Sequence, residues 1–284
     1  MLVQYLAAVF ANDGNKVDLR TIFIMDDRME TQVLLSYLAL LAFGAYVQTV
    51  TGFALGLFVM GVATLMDLSS VAVSAAIVTI SSLVNTGVAL SKEHHHVDWQ
   101  QVRRLSVGLL PAMMVGMWLL DNLDGGTSEY LKILLGLFIV IGAILLMLKP
   151  HPRKQPSGAL KTMSLGAIAG LFGGLFSTAG PPVVYHLYRE PIAINTIRMT
   201  MLALFAIATL VRLMLAIPAG HVNQFVIWVC LYGAPVIVLF TWAGQRFVPP
   251  LSDMGMRRTA FGLLFVIGIV LLLPAVSRFV TGSA

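Results

Sequence analysis

Two polar clusters interrupt long apolar stretches of this chain, and both carry groups suited to holding an anion. Gln48, Thr49, Thr51, Gly52 and Gly56 form the first, supplying an amide, two hydroxyls and bare backbone. Ser177, Thr178, Gly180 and Pro181 form the second, inside the run Gly173-Gly-Leu-Phe-Ser-Thr-Ala-Gly-Pro-Pro182, which cannot continue as regular helix. A helix interrupted at membrane depth exposes amides that lipid cannot satisfy, so the break persists only where protein or water meets it. Amides at a helix N-terminus suit an oxyanion. The alternative is that glycines and hydroxyl residues only allow close helix packing.

Single residues add to these clusters. Arg212 lies in the apolar run Leu202 to Ile217 with no carboxylate at helical spacing. Intramembrane ionisable residues usually face a cavity, and a guanidinium makes two-point contact with an oxyanion. Snorkelling is the alternative, since Pro218 is only about 9 Å further on at helical rise. Arg198 is a second candidate to offset an anion's charge. Asn85, preceded by Ser81 and Ser82, could complete a polar site or bind a neighbouring helix. His186, just after the second cluster, is the candidate for proton coupling by its intrinsic pKa. His94-His-His96 sits in a loop with Lys92, Glu93 and Asp98 and lacks metal-ligand spacing on a helix.

The elements that position these residues are membrane helices. The 284 residues are 58% hydrophobic and 11% charged, with a mean hydropathy of +0.88, far from the quarter-charged makeup of soluble domains. The net charge of +5 is scattered through short connections rather than gathered on one face, which argues against nucleic acid. The sole cysteine, Cys230, lies in an apolar run and can form no internal disulfide. No nucleophile elbow, Walker loop, dinucleotide fingerprint or zinc-protease motif is present, so no cofactor or metal is expected and an enzyme is disfavoured.

Hydropathy windows predict an all-α polytopic protein. A stretch from Val33 to Met66 is broken near Thr49-Val-Thr-Gly52 and is followed by spans at Val71–Leu90, Val102–Leu120 and Tyr130–Leu148. After the linker Lys149-Pro-His-Pro-Arg-Lys-Gln-Pro-Ser-Gly158, a second broken stretch, Met163–Tyr188, precedes spans at Ile194–Ile217, Gln224–Phe247 and Thr259–Val276. Matching segments, His96-Val-Asp98 with His221-Val-Asn223 and Leu135–Gly142 with Phe261–Gly268, lie about 125 residues apart. The division expected is a lead-in at 1–32, a first membrane repeat at 33–148, a cytoplasmic linker at 149–161 and a second repeat at 162–284.

Basic residues orient the halves oppositely. Lys92, Arg103 and Arg104 flank one loop of the first half while Asp121–Glu129 is acidic; in the second half the corresponding signs swap, with Arg246, Arg257 and Arg258 around the later connection. Inverted repeats are therefore expected, each with a broken or re-entrant hairpin plus three spans and with both termini outside. Arg278, Lys16, Arg20 and Arg28 run against that placement of the termini.

The breaks Gln48–Gly56 and Gly170–Pro182, the His-Val-Asp-Trp99 entry to a span and the duplicated order resemble the sulfite exporter TauE/SafE family, over about Val33 to Val276. At the first break Phe53 and Ala54 stand between Gly52 and Gly56, where the family usually has a run of three glycines. The resemblance implies a secondary transporter of the bacterial inner membrane that exports sulfite, a short organosulfonate or a similar anion, driven by an ion gradient. The expected mechanism is alternating access with the anion held between the two breaks. An anion channel with re-entrant glycine-rich loops is the first alternative, and a membrane-embedded enzyme the second. Expected partners are the small anion and the lipid bilayer, with a homodimer left open.

Overall fold

A computed structural model describes residues 19–91, 94–123, 128–147, 152–247 and 261–273. The lead-in before residue 19, Lys92, the first linker residues 149–151, Arg257, Arg258 and Arg278 lie outside the described residues. Every regular element among the described residues is helical. In chain order they are α1 (Leu19–Thr51), α2 (Leu55–Leu65), α3 (Val71–Leu90), α4 (Trp99–Leu123) and α5 (Ser128–Met147). The second half holds α6 (Ala159–Phe176), α7 (Gly180–Leu187), α8 (Ile194–Ala216), α9 (Gln224–Arg246) and α10 (Phe261–Leu273).

Among the described residues six helical stretches are long and apolar enough to cross a membrane: Thr31–Thr51 within α1, and α3, α4, α6, α8 and α9. Helix α1 spans Leu19–Thr51, so residues 19–32 of the expected lead-in are helical and continuous with the first span. The short helices α2, of 11 residues, and α7, of 8 residues, rise about 16 and 12 Å and cannot cross ~30 Å of hydrocarbon alone.

Both breaks fall where the sequence interrupts helix propagation. After Thr51 the chain turns through Gly52 at φ +87, a conformation natural to glycine, and Ala54 at φ 97. The Thr51 hydroxyl lies 2.7 Å from the carbonyls of both Val47 and Phe53, replacing the helical bond lost at the turn. At the second break Ser177 takes the left-handed conformation at φ 53, and Pro181 and Pro182 then set the start of α7. Left-handed backbone at Ala54 and Ser177 costs about 1–2 kcal/mol each and is held by the packing around it.

Helices pair across the two halves. α4 packs along α6, α9 along α1, and α3 against both α8 and α9. The α4–α6 seam brings backbone against backbone: a Cβ on Gly170 would lie 2.0 Å from the Leu109 carbonyl, and one on Gly174 2.3 Å from that of Met113. Gly166, Gly170 and Gly174 recur every fourth residue on α6, the small-residue spacing that lets membrane helices approach closely.

Polar contacts tie the connections to the helices and to one another. The Tyr37 hydroxyl lies 2.6 Å from Ser69 Oγ, Lys132 pairs with Asp67, and His221 Nε2 sits 2.8 Å from Asp121 Oδ1. The Arg153 amide donates to the Arg189 carbonyl at 2.8 Å, the Asp98 amide to Thr200 Oγ1 at 3.0 Å, and the Tyr46 hydroxyl to the Phe247 carbonyl at 2.8 Å.

Candidate functional site

The two breaks meet. A Cβ on Gly56, in the first turn of α2, would lie 3.1 Å from the Ser177 carbonyl and 3.3 Å from Thr178 Oγ1. Beside this contact is a small cavity of about 30 Å³. Its polar wall comes from Gln48 on α1, Ser82 on α3, Ser177 and Thr178 in the second break, and Thr209 and Arg212 on α8. Phe53, Met113 and Phe205 supply the apolar wall, and Ala54, Gly56, Ala179 and Gly180 bring backbone to it.

Two helix N-termini therefore reach the cavity. The amides of the first turn of α2 have no carbonyl within their own helix to bond, and the residue before them, Ala54, has no side chain to cap them. Ala179 likewise provides no cap at α7. Pro181 and Pro182 carry no N–H, so Gly180 is the one N–H donor among the first three residues of α7, and α2 presents more donors. Gln48 Nε2 is 3.3 Å from Ser82 Oγ, which ties the floor of the cavity from α1 to α3.

Arg212 is 1% exposed and does not snorkel. Its Nε donates to the Gly173 carbonyl at 3.0 Å, Nη2 to the Gly174 carbonyl at 3.0 Å, and Nη1 to Thr79 Oγ1 at 2.7 Å and the Ala75 carbonyl at 3.2 Å. Gly173 and Gly174 belong to the last turn of α6, whose carbonyls lack helical partners and carry the negative end of the dipole. A guanidinium has five N–H donors, and one on Nη2 is left without an acceptor among the described residues. Among the described residues no Asp or Glu lines the cavity, so Arg212 leaves it with net positive charge.

Of the residues expected from sequence, Gln48, Gly56, Ser177, Thr178, Gly180 and Arg212 share this cavity. The others stand around it. Asn85 Nδ2 lies 2.9 Å from Thr49 Oγ1, 2.6 Å from Thr241 Oγ1 and 3.2 Å from the Ala45 carbonyl, joining α3 to α1 and α9. Thr51 and Gly52 form the first turn, where a Cβ on Gly52 would meet the Met201 methyl at 2.8 Å. Arg198 donates to the Thr49 carbonyl in the last turn of α1, so α8 carries two arginines that each bind the C-terminal carbonyls of one broken helix. Pro181 packs on Gly142. His186 is buried at the end of α7, with Nδ1 3.9 Å from Glu190 Oε1.

Sequence reasoning passed over Thr79, Thr209 and the aromatic wall. Thr79 accepts from Arg212 and lies 2.8 Å from Ser177 Oγ. The available signal was helical spacing: Thr79 with Ser82, and Thr209 with Arg212, are each three residues apart and share a helix face.

Several membrane-length helices around a buried, positively charged cavity at two helix breaks make the architecture of a membrane transporter. The chain belongs to the sulfite exporter TauE/SafE family, whose family model matches residues 37–271; it is thus a multi-pass membrane transporter and not an enzyme. It is 38% identical over 255 residues to the probable sulfite/organosulfonate exporter TauE of Cupriavidus necator, covering 89% of this chain and 100% of that one. It is 29% identical over 196 residues to the probable inner membrane transporter protein TsaS of Comamonas testosteroni, covering 65% and 78% of the two chains. No solved structure matches it significantly. The resemblance drawn from the two glycine-rich breaks is borne out by the family match.

Proposed function

We propose that this chain exports sulfite or a short organosulfonate across the bacterial inner membrane by alternating access, driven by an ion gradient. The observation that carries the reading is Arg212, the single charged residue among the described residues that line the cavity, beside two uncapped helix N-termini. An anion about 4 Å from a guanidinium gains roughly 4 kcal/mol at an effective dielectric constant of 20. A helix N-terminus adds about 0.3–1 kcal/mol, or ~2 when partly buried. Arg212 thus sets the sign of the ligand, while the amides and hydroxyls orient its oxygens. The names of the two relatives support an exporter of such anions.

The alternating-access step rests on two halves, 33–148 and 162–284, related by inversion. The pairing of α4 with α6 and of α1 with α9 supports it, because a pseudo-two-fold axis in the membrane plane exchanges those two pairs. Tyr37 near Ser69 and Ser74 draws the ends of the first hairpin together. Arg153 with Arg189 draws the ends of the second together, on the opposite face in this reading. A substrate at the contact of Gly56 with Ser177 lies at the seam on which such halves rock.

The test is flux of labelled sulfite and of a short sulfonate in proteoliposomes, with and without an imposed proton gradient. Saturable flux that responds to the gradient is expected. Flux that rises linearly with concentration and ignores the gradient would replace the carrier by a channel, and no flux of either anion would remove the substrate assignment.

A further inference from the structure

A second cavity lies away from the helix breaks, where the linker meets the start of α6 and the end of α7. Arg153, Lys161, Arg189 and His186 line it, together with Leu165 and Ile168. The charges are unequal. Arg153 Nη1 is 3.8 Å from Glu190 Oε1, and Glu190 Oε2 accepts the Ser157 amide at 3.0 Å. Arg189 donates to the Tyr185 hydroxyl at 2.9 Å and stacks over that ring at 5.4 Å. Lys161 is exposed and makes no ion pair among the described residues. Three permanent cations thus face one buried carboxylate.

His186, only 1% exposed, lines this pocket with no hydrogen bond to either ring nitrogen. Its Nδ1 is 3.9 Å from Glu190 Oε1, so the imidazole backs the pocket beside the buried carboxylate and leaves Lys161, Arg189 and Arg153 to meet a ligand. The face of α6 beneath is apolar. Lys161, Ser164, Leu165 and Ile168 follow the i, i+3, i+4, i+7 spacing of one helix face. Ile168 is 49% exposed and lies about 10 Å further along the helix than Lys161. The surface is cationic at the helix start and apolar one to two turns further along the helix.

We infer that this pocket holds the headgroup of an anionic phospholipid, with the phosphate among Lys161, Arg189 and Arg153 and an acyl chain along Leu165 and Ile168. A free phosphate or sulfite offers the same charge but leaves the apolar half unused. Basic pockets between membrane helices recognise anionic headgroups in this way. The site is separate from the Arg212 cavity, and its occupant braces the linker against the second broken element through Arg153 and Arg189, whose backbones are already bonded at 2.8 Å.

The test uses the full chain in neutral detergent, titrated with phosphatidylglycerol, phosphatidylethanolamine, inorganic phosphate or sulfite, with melting temperature and native mass spectrometry as readouts. Phosphatidylglycerol is expected to remain bound and raise the melting temperature, while phosphatidylethanolamine and the free anions do neither at this site. Lys161→Gln should weaken phosphatidylglycerol binding about fivefold, and Lys161→Gln with Arg189→Gln on the order of 20-fold. Lys161 makes no ion pair among the described residues, so the single variant should melt as the parent does without lipid. Equal retention of both lipids, or unchanged phosphatidylglycerol binding in Lys161→Gln, would overturn the proposal. So would stabilisation by inorganic phosphate that Lys161→Gln abolishes and phosphatidylglycerol does not exceed, which would make this a soluble-anion pocket.

Discussion

The Arg212 guanidinium meets the Thr79 hydroxyl at 2.7 Å, and through it α8 of the second half is joined to α3 of the first. Thr79 Oγ1 also lies 2.7 Å from the Ala75 carbonyl and 2.8 Å from Ser177 Oγ. One hydroxyl therefore links the buried cation to the second helix break. Arg212 in turn closes the end of α6 through the Gly173 and Gly174 carbonyls. The residue proposed to set the ligand's charge is also the one that terminates the helix leading to the site.

That double role makes Arg212→Lys more informative than Arg212→Ala. A lysine keeps the charge but cannot reach Gly173, Gly174 and Thr79 in a planar fork. Sulfite flux per reconstituted protein is expected to fall at least tenfold, with the protein still monodisperse. Arg212→Ala leaves the two glycine carbonyls unpaired at about 1–3 kcal/mol each and should also lower the melting temperature. Wild-type flux in Arg212→Lys would remove this residue from substrate binding.

Thr79 and Ser177 should act as a unit. Thr79→Val removes the acceptor for Arg212 at nearly constant volume, and Ser177→Ala removes the hydroxyl that meets it. Groups in one hydrogen-bond network couple by about 0.5–3 kcal/mol in a double-mutant cycle. The effects on the apparent KM for sulfite are therefore expected to be non-additive, the double variant being little worse than Thr79→Val. Strict additivity would mean that the two hydroxyls serve separate purposes.

The α4–α6 seam yields a stability prediction independent of substrate. Gly170→Leu places side-chain atoms where the Leu109 carbonyl already stands 2.0 Å from an added Cβ. Overpacking of this kind costs about 1–3 kcal/mol or more, so loss of the monodisperse peak in detergent chromatography is expected. Gly158→Ala, where nothing lies within 4 Å of the added Cβ, serves as the control and should behave as wild type. Equal tolerance of both would show that the seam is looser than the backbone contacts require.

Local chemistry made much of this protein legible from its residues alone. Apolar runs long enough for a bilayer declare the solvent, and glycine, proline and hydroxyl residues at 48–56 and 173–182 declare where helices stop, because propagation of a helix depends on neighbours within a few residues. The cost of burying Arg212 likewise singled it out. Tertiary structure decided which donors converge. Arg212 and Thr79 are 133 positions apart, and no periodicity within either helix reports that α8 crosses α3 there. It also separated residues that look alike in sequence: Asn85 Nδ2 and the Thr49 hydroxyl are engaged with each other, Asn85 also with Thr241 and both with the Ala45 carbonyl, whereas Gln48, Thr178 and Arg212 line the cavity. Spacing along a helix names a face, but what that face meets is fixed by packing between segments distant in the chain, and that packing is visible only once the chain has folded.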